Sequence, residues 1–346
     1  MISARGAATT AVVAAMVLLA AGAVQAITID TVPVGNPGNV ADDTGYGAVA
    51  YTYNMGKYEV TAGQYTAFLN AVAATDTYGL YNTLMADLLM DGLFACNIQR
   101  AGSSGSYTYS VASDWANRPV NLVSWGDAAR FSNWLTNGQP TGAQGLTTTE
   151  DGSYYLNGAI SDAALLAVVR KSPADGGRYY IPTEDEWYKA AYYNPATGTY
   201  FDYPTGSNST PSNDLITPDP GNNANYRPYY NSGDWTIGSP YYRTEVGEFE
   251  NSESPYGTFD QGGNVWEWNE AVIGSARGWR GGNFWLDSVY LWAATRYSPY
   301  SPAYETGHLG FRVSEVPEPI PEPVTLAGMV LGIGGLVGYI RRRMAR

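Results

Sequence analysis

The chain of 346 residues contains a single cysteine, Cys96, and a single histidine, His308. Thiolate zinc sites, histidine clusters and internal disulfides each need more than one such residue, so none of them forms within this chain. Cys96 lies in the apolar segment LFACNI. We predict a small buried side chain there, with pairing between molecules as the alternative. A serine triad would have to use His308, and a structural or surface histidine is the favoured interpretation.

Basic residues are also scarce, because 19 Lys and Arg stand against 32 Asp and Glu and the formal net charge is -13. Such a surface repels phosphate backbones, so we expect no nucleic acid partner, whereas hard cations suit it. The chain is rich in Tyr (29), Trp (10) and Gly (40). This composition predicts a loop-rich, aromatic-packed α+β domain. Aromatic rings also suit sugars, although they pack cores more often than they bind ligands.

The first 26 residues have the features of a secretory signal peptide. Arg5 precedes an uncharged run over residues 11–23, and Val24-Gln25-Ala26 then places small residues where a signal peptidase requires them. We therefore predict residues 1–26 as a signal peptide, cleaved after Ala26. A membrane-spanning anchor is the alternative, but the run is shorter than the roughly 20 residues that a bilayer needs.

The other end carries a second targeting segment. A Pro-Glu-Pro linker at 316–323 leads into an uncharged stretch at 324–340, and a basic tail at 341–346 follows. The stretch predicts a short transmembrane helix, which the arginines orient with the tail in the cytoplasm. This order resembles the PEP-CTERM sorting signal, which implies processing by an exosortase. The protein would be held in the inner membrane first, and would then reach the cell surface or extracellular matrix. An ordinary C-terminal anchor is the alternative.

Three capping boxes predict three helices in the domain between these ends, at Thr61 with Gln64, Ser124 with Asp127 and Thr183 with Glu186. Apolar residues follow each cap at helical spacing, so each helix should bury one face. Residues 178–182 predict a strand before the third helix. Residues 206–221 indicate an exposed loop, and residues 84–105 an insertion.

Six segments occur in an order that is typical of one family: MGKYEVT at 55–61, PVNLVSW at 119–125, IPTEDEW at 181–187, GNVWEW at 263–268, RGGN at 280–283 and GFR at 310–312. The chain resembles the formylglycine-generating enzymes, or sulfatase-modifying factors. The resemblance spans about residues 51–313. It implies an α+β fold, C-type-lectin-like with much irregular backbone, for a domain over residues 27–315.

The GNVWEW segment is also where the family binds calcium. A carboxylate beside turn carbonyls suits this ion, which takes six to eight oxygen ligands. The resemblance implies side-chain ligands from Asp260 and Glu267 and backbone carbonyls from Gly263 and Val265. A second family site would map to Asn225 and Tyr226, with its remaining ligands near Asp234. The alternative is that Glu267 only accepts backbone hydrogen bonds in a turn.

The resemblance fails at the catalytic centre. The family's oxidases hold copper on two cysteines after the Gly-Gly-Ser segment, but this chain continues with NFWLDSVYL at 283–291. Soft thiolates select Cu(I), so we expect no copper and no catalytic residues of the family type. We therefore predict a non-catalytic, calcium-stabilised binding or structural module, with an extracellular polysaccharide as a candidate partner. The alternatives are residual or altered chemistry of the family, or a carbohydrate-active enzyme using two carboxylates among Glu267, Glu270 and Asp287.

Overall fold

The structure is a computed structural model that describes residues 26–88, 95–228, 234–297 and 300–317. The predicted signal peptide, apart from Ala26, and the predicted transmembrane helix and basic tail lie outside the described residues. Within the described ranges, no helix combines the length and the apolar character needed to cross a bilayer.

The three predicted helices are confirmed, and each begins at its predicted cap. Thr61, Ser124 and Thr183 each accept a hydrogen bond from the backbone N–H three residues on, and the side chain at that position bonds back to the cap. Two short helices add to them. In chain order the helices are α1 (Ala62–Val72), α2 (Ser113–Ala116), α3 (Trp125–Thr136), α4 (Asp162–Leu166) and α5 (Glu184–Tyr192).

Short strands surround these helices. The described strands are β1 (Thr31–Val34), β2 (Tyr53–Gly56), β3 (Ile98–Ala101), β4 (Thr108–Val111), β5 (Tyr179–Tyr180), β6 (Tyr193–Asn194), β7 (Thr199–Tyr200), β8 (Trp266–Ile273), β9 (Ala276–Arg280), β10 (Leu309–Gly310) and β11 (Ser314–Glu315). They form sheets in the orders β1-β2-β11-β5 and β10-β8-β9, with β3-β4 and β6-β7 as separate pairs. Turns of 3₁₀ helix lie at Thr83–Ala86, Pro173–Asp175 and Ser288–Leu291.

Two sequence predictions are refined by this arrangement. The strand predicted over residues 178–182 is only the two residues of β5, because it pairs with β11, which is itself two residues long. The expected insertion at 84–105 contributes β3, which forms an antiparallel pair with β4. That segment is therefore partly built into the fold.

Aromatic side chains fill the core, as composition favoured. The ring of Phe131 in α3 lies 5.3 Å from that of Phe68 in α1 and 5.4 Å from that of Phe311. On β8, Trp266 and Trp268 are both buried and their rings lie 6.3 and 5.3 Å from Trp279 on β9. Edge-to-face and tilted contacts of this kind add to the burial of apolar area.

The parallel pairing of β10 with β8 positions the site described next. Gly310 lies opposite Glu267, and a Cβ at Gly310 would stand 2.4 Å from the carbonyl oxygen of Val120. Only glycine permits that approach. The chain can therefore run close beside β8 and bring Arg312 to Glu267.

Candidate functional site

Glu267 and Arg312 form a fully buried ion pair. Both side chains are 0% exposed, and two hydrogen bonds join them, from Nε to Oε2 at 2.6 Å and from Nη2 to Oε1 at 2.7 Å. Trp187 Nε1 adds a third bond to Oε2 at 2.7 Å. Arg312 also donates to the carbonyl oxygens of Gly56 and Phe259, at 2.9 and 2.8 Å. The Glu267 carboxylate therefore accepts side-chain donors, rather than the backbone donors of a turn.

Glu59 is a further buried acid beside this pair. It is 1% exposed, and neither of its carboxylate oxygens has a hydrogen-bond partner among the described residues. Burial raises the pKa of Glu59 well above its usual range, and the charges of Asp260 and Glu267 raise it further. Glu59 lies within the MGKYEVT segment, but the sequence analysis assigned it no role. Its position could have indicated one, because it is an acidic residue between β2 and α1, which are both largely buried.

Asp260 and Gly263 stand at sharp turns next to these acids. Asp260 has a positive φ of 58°, and its Oδ2 accepts the Gly247 N–H at 2.6 Å. Burial raises the pKa of Asp260 to about 6. Gly263 has a φ of 92°, and a Cβ there would lie 2.1 Å from the Asn225 carbonyl oxygen. The next ligand predicted from the sequence, Val265, is buried at the start of β8.

The two predicted calcium sites are neighbours. Asn225 pairs with Gly263 in a parallel bridge, and its Nδ2 donates to Asn264 Oδ1 at 2.7 Å. The carbonyl oxygen of Tyr226 accepts the Thr236 hydroxyl at 3.2 Å. Asp234 is exposed and lines a cavity of about 450 Å³. The sequence alone indicated two separate sites, because Asn225 and Gly263 are 38 positions apart along the chain and only the fold pairs them.

The first site fits calcium in its chemistry. Carboxylate and carbonyl oxygens are the ligands that this ion prefers, and Asp260 adds a second carboxylate near Glu267, which pairs with Arg312. The described residues hold no group of three Asp, Glu, His or Cys side chains placed to bind a metal together. An ion would therefore depend on two carboxylates and backbone carbonyls, and it would share Glu267 with Arg312. Calcium stays a prediction.

The segment that replaces the family's copper site is packed and capped. Asn283 is 2% exposed, and its Oδ1 accepts the backbone N–H of Trp285 at 2.8 Å. Asp287 caps the 3₁₀ turn by accepting the Val289 N–H at 3.1 Å. The single thiol, Cys96, is buried in the main core, and burial raises its pKa. The copper site of two thiolates cannot form from one cysteine.

An exposed aromatic surface follows this segment. Trp292, Tyr297 and Tyr300 are 45, 40 and 44% exposed. The ring of Tyr297 stacks on Trp266 at 5.3 Å and an interplanar angle of 12°. That of Tyr300 stacks on Tyr304 at 4.0 Å and 20°. Tyr297 and Tyr300 both lie against Trp279, with ring centroids 6.0 and 5.7 Å apart, so their exposed faces are placed to form one surface for a ring-shaped ligand. Sequence reasoning noted the aromatic content but did not locate this surface.

The carboxylates considered for glycosidase chemistry do not share one environment. Glu267 is fully buried on Arg312, and Asp287 serves as a cap. Glu270 has a side chain that is 12% exposed, and it lies 3.4 Å from Arg170. Burial raises the pKa of Glu270 to about 7. Tyr154 donates to its Oε1 at 2.6 Å.

Arg170 joins Glu270 to a second acid, Glu186. Each terminal nitrogen of Arg170 contacts a Glu186 oxygen at 3.0 Å. Burial acts to raise the pKa of Glu186, but the charge and hydrogen bonds of Arg170 outweigh it and hold that pKa below its usual value. Tyr51 donates to Glu186 Oε1 at 2.6 Å. Arg170 and Tyr51 line a cavity of about 610 Å³, which also reaches Pro317.

His308 lies next to the aromatic core. Its Nδ1 is 3.1 Å from the Thr306 hydroxyl, and its ring lies 6.5 Å from that of Trp279. Burial lowers its pKa to about 4. The side chain is therefore neutral near pH 7 and carries no charge for the site.

Comparisons with known proteins agree on the fold. Residues 4–316 match the model of the family described as sulfatase-modifying factor enzyme 1-like domain. The crystal structure of CarF is 20% identical over 84% of this chain and 99% of that chain, with a TM-score of 0.50. Variable protein 1 of Treponema denticola is 19% identical over 85% and 97%, with a TM-score of 0.51. No curated protein matches the chain in sequence. The predicted α+β fold is thus confirmed, and nothing of the activity follows from it.

Proposed function

The chain belongs to the sulfatase-modifying factor family, and we propose that it is an exported, non-catalytic member of it that binds a ligand at the cell surface or in the extracellular matrix. Calcium stabilises the module, through Asp260 and Glu267 in the first site. The C-terminal helix holds the precursor in the inner membrane until an exosortase processes it. Deleting residues 317–323 should then change the processing. Equal maturation of deleted and intact chains would count against the exosortase.

The observation that carries the binding function is the exposed aromatic surface of Tyr297 and Tyr300, which both contact Trp279. Rings of this size are costly to leave in water, and Trp and Tyr dominate the energetics of binding surfaces. They follow directly on the segment from which the copper thiolates are missing. The ligand class that best suits flat exposed rings is a polysaccharide, whose sugar faces are apolar while their rims are hydrogen-bonded.

The test is binding of the purified protein to a glycan array, followed by titration of the best ligand. Tyr300→Ala should weaken binding about tenfold or more, as expected for an aromatic hot spot. Tyr155→Ala is the matched control, because Tyr155 is an exposed aromatic residue, 55% exposed, that lies outside this surface. Equal affinity of both variants, or no glycan binding at all, would remove the proposal.

An altered enzyme is the second candidate, and the Glu186–Arg170–Glu270 cluster favours it. Two acids with pKa values pushed apart, one lowered and one raised to about 7, are what general acid–base chemistry requires. Glu186 is 0% exposed, however, which denies it contact with a substrate. Hydrolysis of a bound glycan that Glu270→Gln abolishes would favour this candidate over a binding module.

A further inference from the structure

The segment that follows the predicted signal peptide is anchored by long-range hydrogen bonds. The side chain of Gln139 forms two hydrogen bonds with the backbone of Ile27. Its Oε1 accepts the Ile27 N–H at 2.7 Å, and its Nε2 donates to the Ile27 carbonyl at 2.8 Å. Gln64 Nε2 donates to the carbonyl of Thr28 at 2.9 Å. Ile27 also packs against the main core, while Ala26 is exposed. Ile27 is thus the first of the described residues with hydrogen bonds to the domain.

Gln139 is held in place for this contact. Its φ is 60°, a conformation that residues other than glycine seldom adopt, and its N–H donates to the Trp134 carbonyl at 2.9 Å. It stands three residues beyond α3. The backbone of Gln139 is therefore held at the end of α3, which fixes the position from which its side chain reaches Ile27.

The end of α3 also lacks a cation. Helix α3 lies wholly within the described part of the chain and has no basic residue in its last turn. Aligned peptide dipoles leave partial negative charge at a helix C-terminus, which a positive group stabilises. The contact between Ile27 and Gln139 does not depend on this dipole, because an ammonium group on the Ile27 nitrogen would keep an N–H for Gln139 Oε1 and would bond to it more strongly than a neutral amide.

We propose that a signal peptidase cleaves the Ala26–Ile27 bond, and that Gln139 then binds the new α-ammonium group of Ile27 at the end of α3. Hydrolysis consumes one water: Ala26 leaves as a carboxylate, and the Ile27 nitrogen becomes an ammonium. Gln139 is thus a binding site for the terminal amine of the mature protein. This inference rests on the export proposed above.

The first measurement is the mass and N-terminal sequence of the exported protein. A chain that begins at Ile27 supports the inference. Another first residue overturns it but leaves export intact. A chain that keeps residues 1–26 overturns both the inference and the proposed export.

The second measurement is trimming of the mature protein by an aminopeptidase. Gln139→Gly removes both hydrogen bonds to Ile27 without straining a backbone of positive φ, and Ile27 should then be removed about tenfold faster, because the terminus opens more often. Gln139→Glu keeps the acceptor and should restore protection. If the protein is prepared with Ala26 as its first residue, the aminopeptidase should remove Ala26 and then stop at Ile27.

The control variant is Gln144→Ala. Gln144 also holds a backbone N–H, that of Tyr78 at 2.8 Å, so its loss weakens the fold without touching the terminus. Trimming of this variant should match the unmodified protein. The inference would be overturned if the Gln139→Gly protein and the unmodified protein were trimmed at the same rate. It would also be overturned if the aminopeptidase removed Ile27 readily from every protein tested.

Discussion

Two arginine–glutamate clusters meet the same strand, β8, three residues apart, and behave differently. Glu267 and Arg312 are both 0% exposed, and the neighbouring Glu59 has no hydrogen-bond partner within the described part of the chain. Glu270 and Arg170 are 12 and 18% exposed, and Tyr154 completes the hydrogen bonds of Glu270. The first cluster is closed to water, and burial favours the neutral form of Glu59 beside the ion pair. The second is partly exposed at Arg170 and Glu270, and burial raises the pKa of Glu270 to about 7. The degree of burial, rather than residue type, therefore separates the two clusters.

Breaking the buried cluster should have the largest effect. Glu267→Gln leaves the Arg312 guanidinium without its charge partner in a site closed to water. Loss of one member of a buried pair costs about 3–5 kcal/mol, so the free energy of unfolding in urea should fall by that amount. Glu270→Gln, on the same strand, should cost about 1 kcal/mol, because Arg170 keeps Glu186. Equal losses would contradict the comparison.

Calcium removal should separate the two clusters, because the proposed ligands Asp260 and Glu267 belong to the first cluster only. An ion at about 100 times its Kd adds roughly 2.7 kcal/mol to stability, so EDTA should lower Tm by several degrees. Asp260→Asn removes a charged ligand and should shrink this difference. Glu270→Gln should preserve it. A melting curve that EDTA leaves unchanged would exclude a stabilising calcium.

A pH series acts on the second cluster. Burial raises the pKa of Glu270 to about 7 from an ordinary value near 4.3, so between these limits the folded chain binds more protons than the unfolded chain. Its contribution to stability is full below pH about 4 and is lost as pH rises through about 7, by on the order of 3–4 kcal/mol. The difference between the unmodified protein and Glu270→Gln isolates this slope. Parallel curves for the two proteins would refute it.

The smallest predicted effect concerns the open side of the second cluster. Tyr51→Phe removes the hydroxyl that donates to Glu186 at 2.6 Å. Because Arg170 still pairs with Glu186, we expect a loss of about 1 kcal/mol in the free energy of unfolding. Tyr155→Phe, at a residue that is 55% exposed, should change nothing measurable. A loss as large as that of Glu267→Gln would show that both clusters are equally closed.

Much of the local structure follows from neighbouring residues. Thr61, Ser124 and Thr183 cap the predicted helices because each bonds to a partner three residues away. The strand at 178–182 was over-extended because its length depends on β11, which lies far along the chain. The ends of a strand depend on the length of the strand it pairs with, so the periodicity of the sequence alone does not predict them.

The site was predictable only in part. Asp260, Gly263, Val265 and Glu267 were predicted as calcium ligands through the family segments, and a calcium ion on them stays a prediction. The Arg312 partner of Glu267, the unpartnered Glu59 and the bridge from Asn225 to Gly263 were not anticipated.

The sequence by itself determined the helix caps, the family and the loss of the copper thiolates, because each depends on residue identity or on contacts a few positions apart. Tertiary structure decided which carboxylate is buried with Arg312, which opens to water and which rings face the solvent. Those properties depend on burial and on pairs such as Glu267 and Arg312, which lie 45 residues apart. The energies of charges and exposed rings are set by the surrounding medium, and only the folded chain creates that medium.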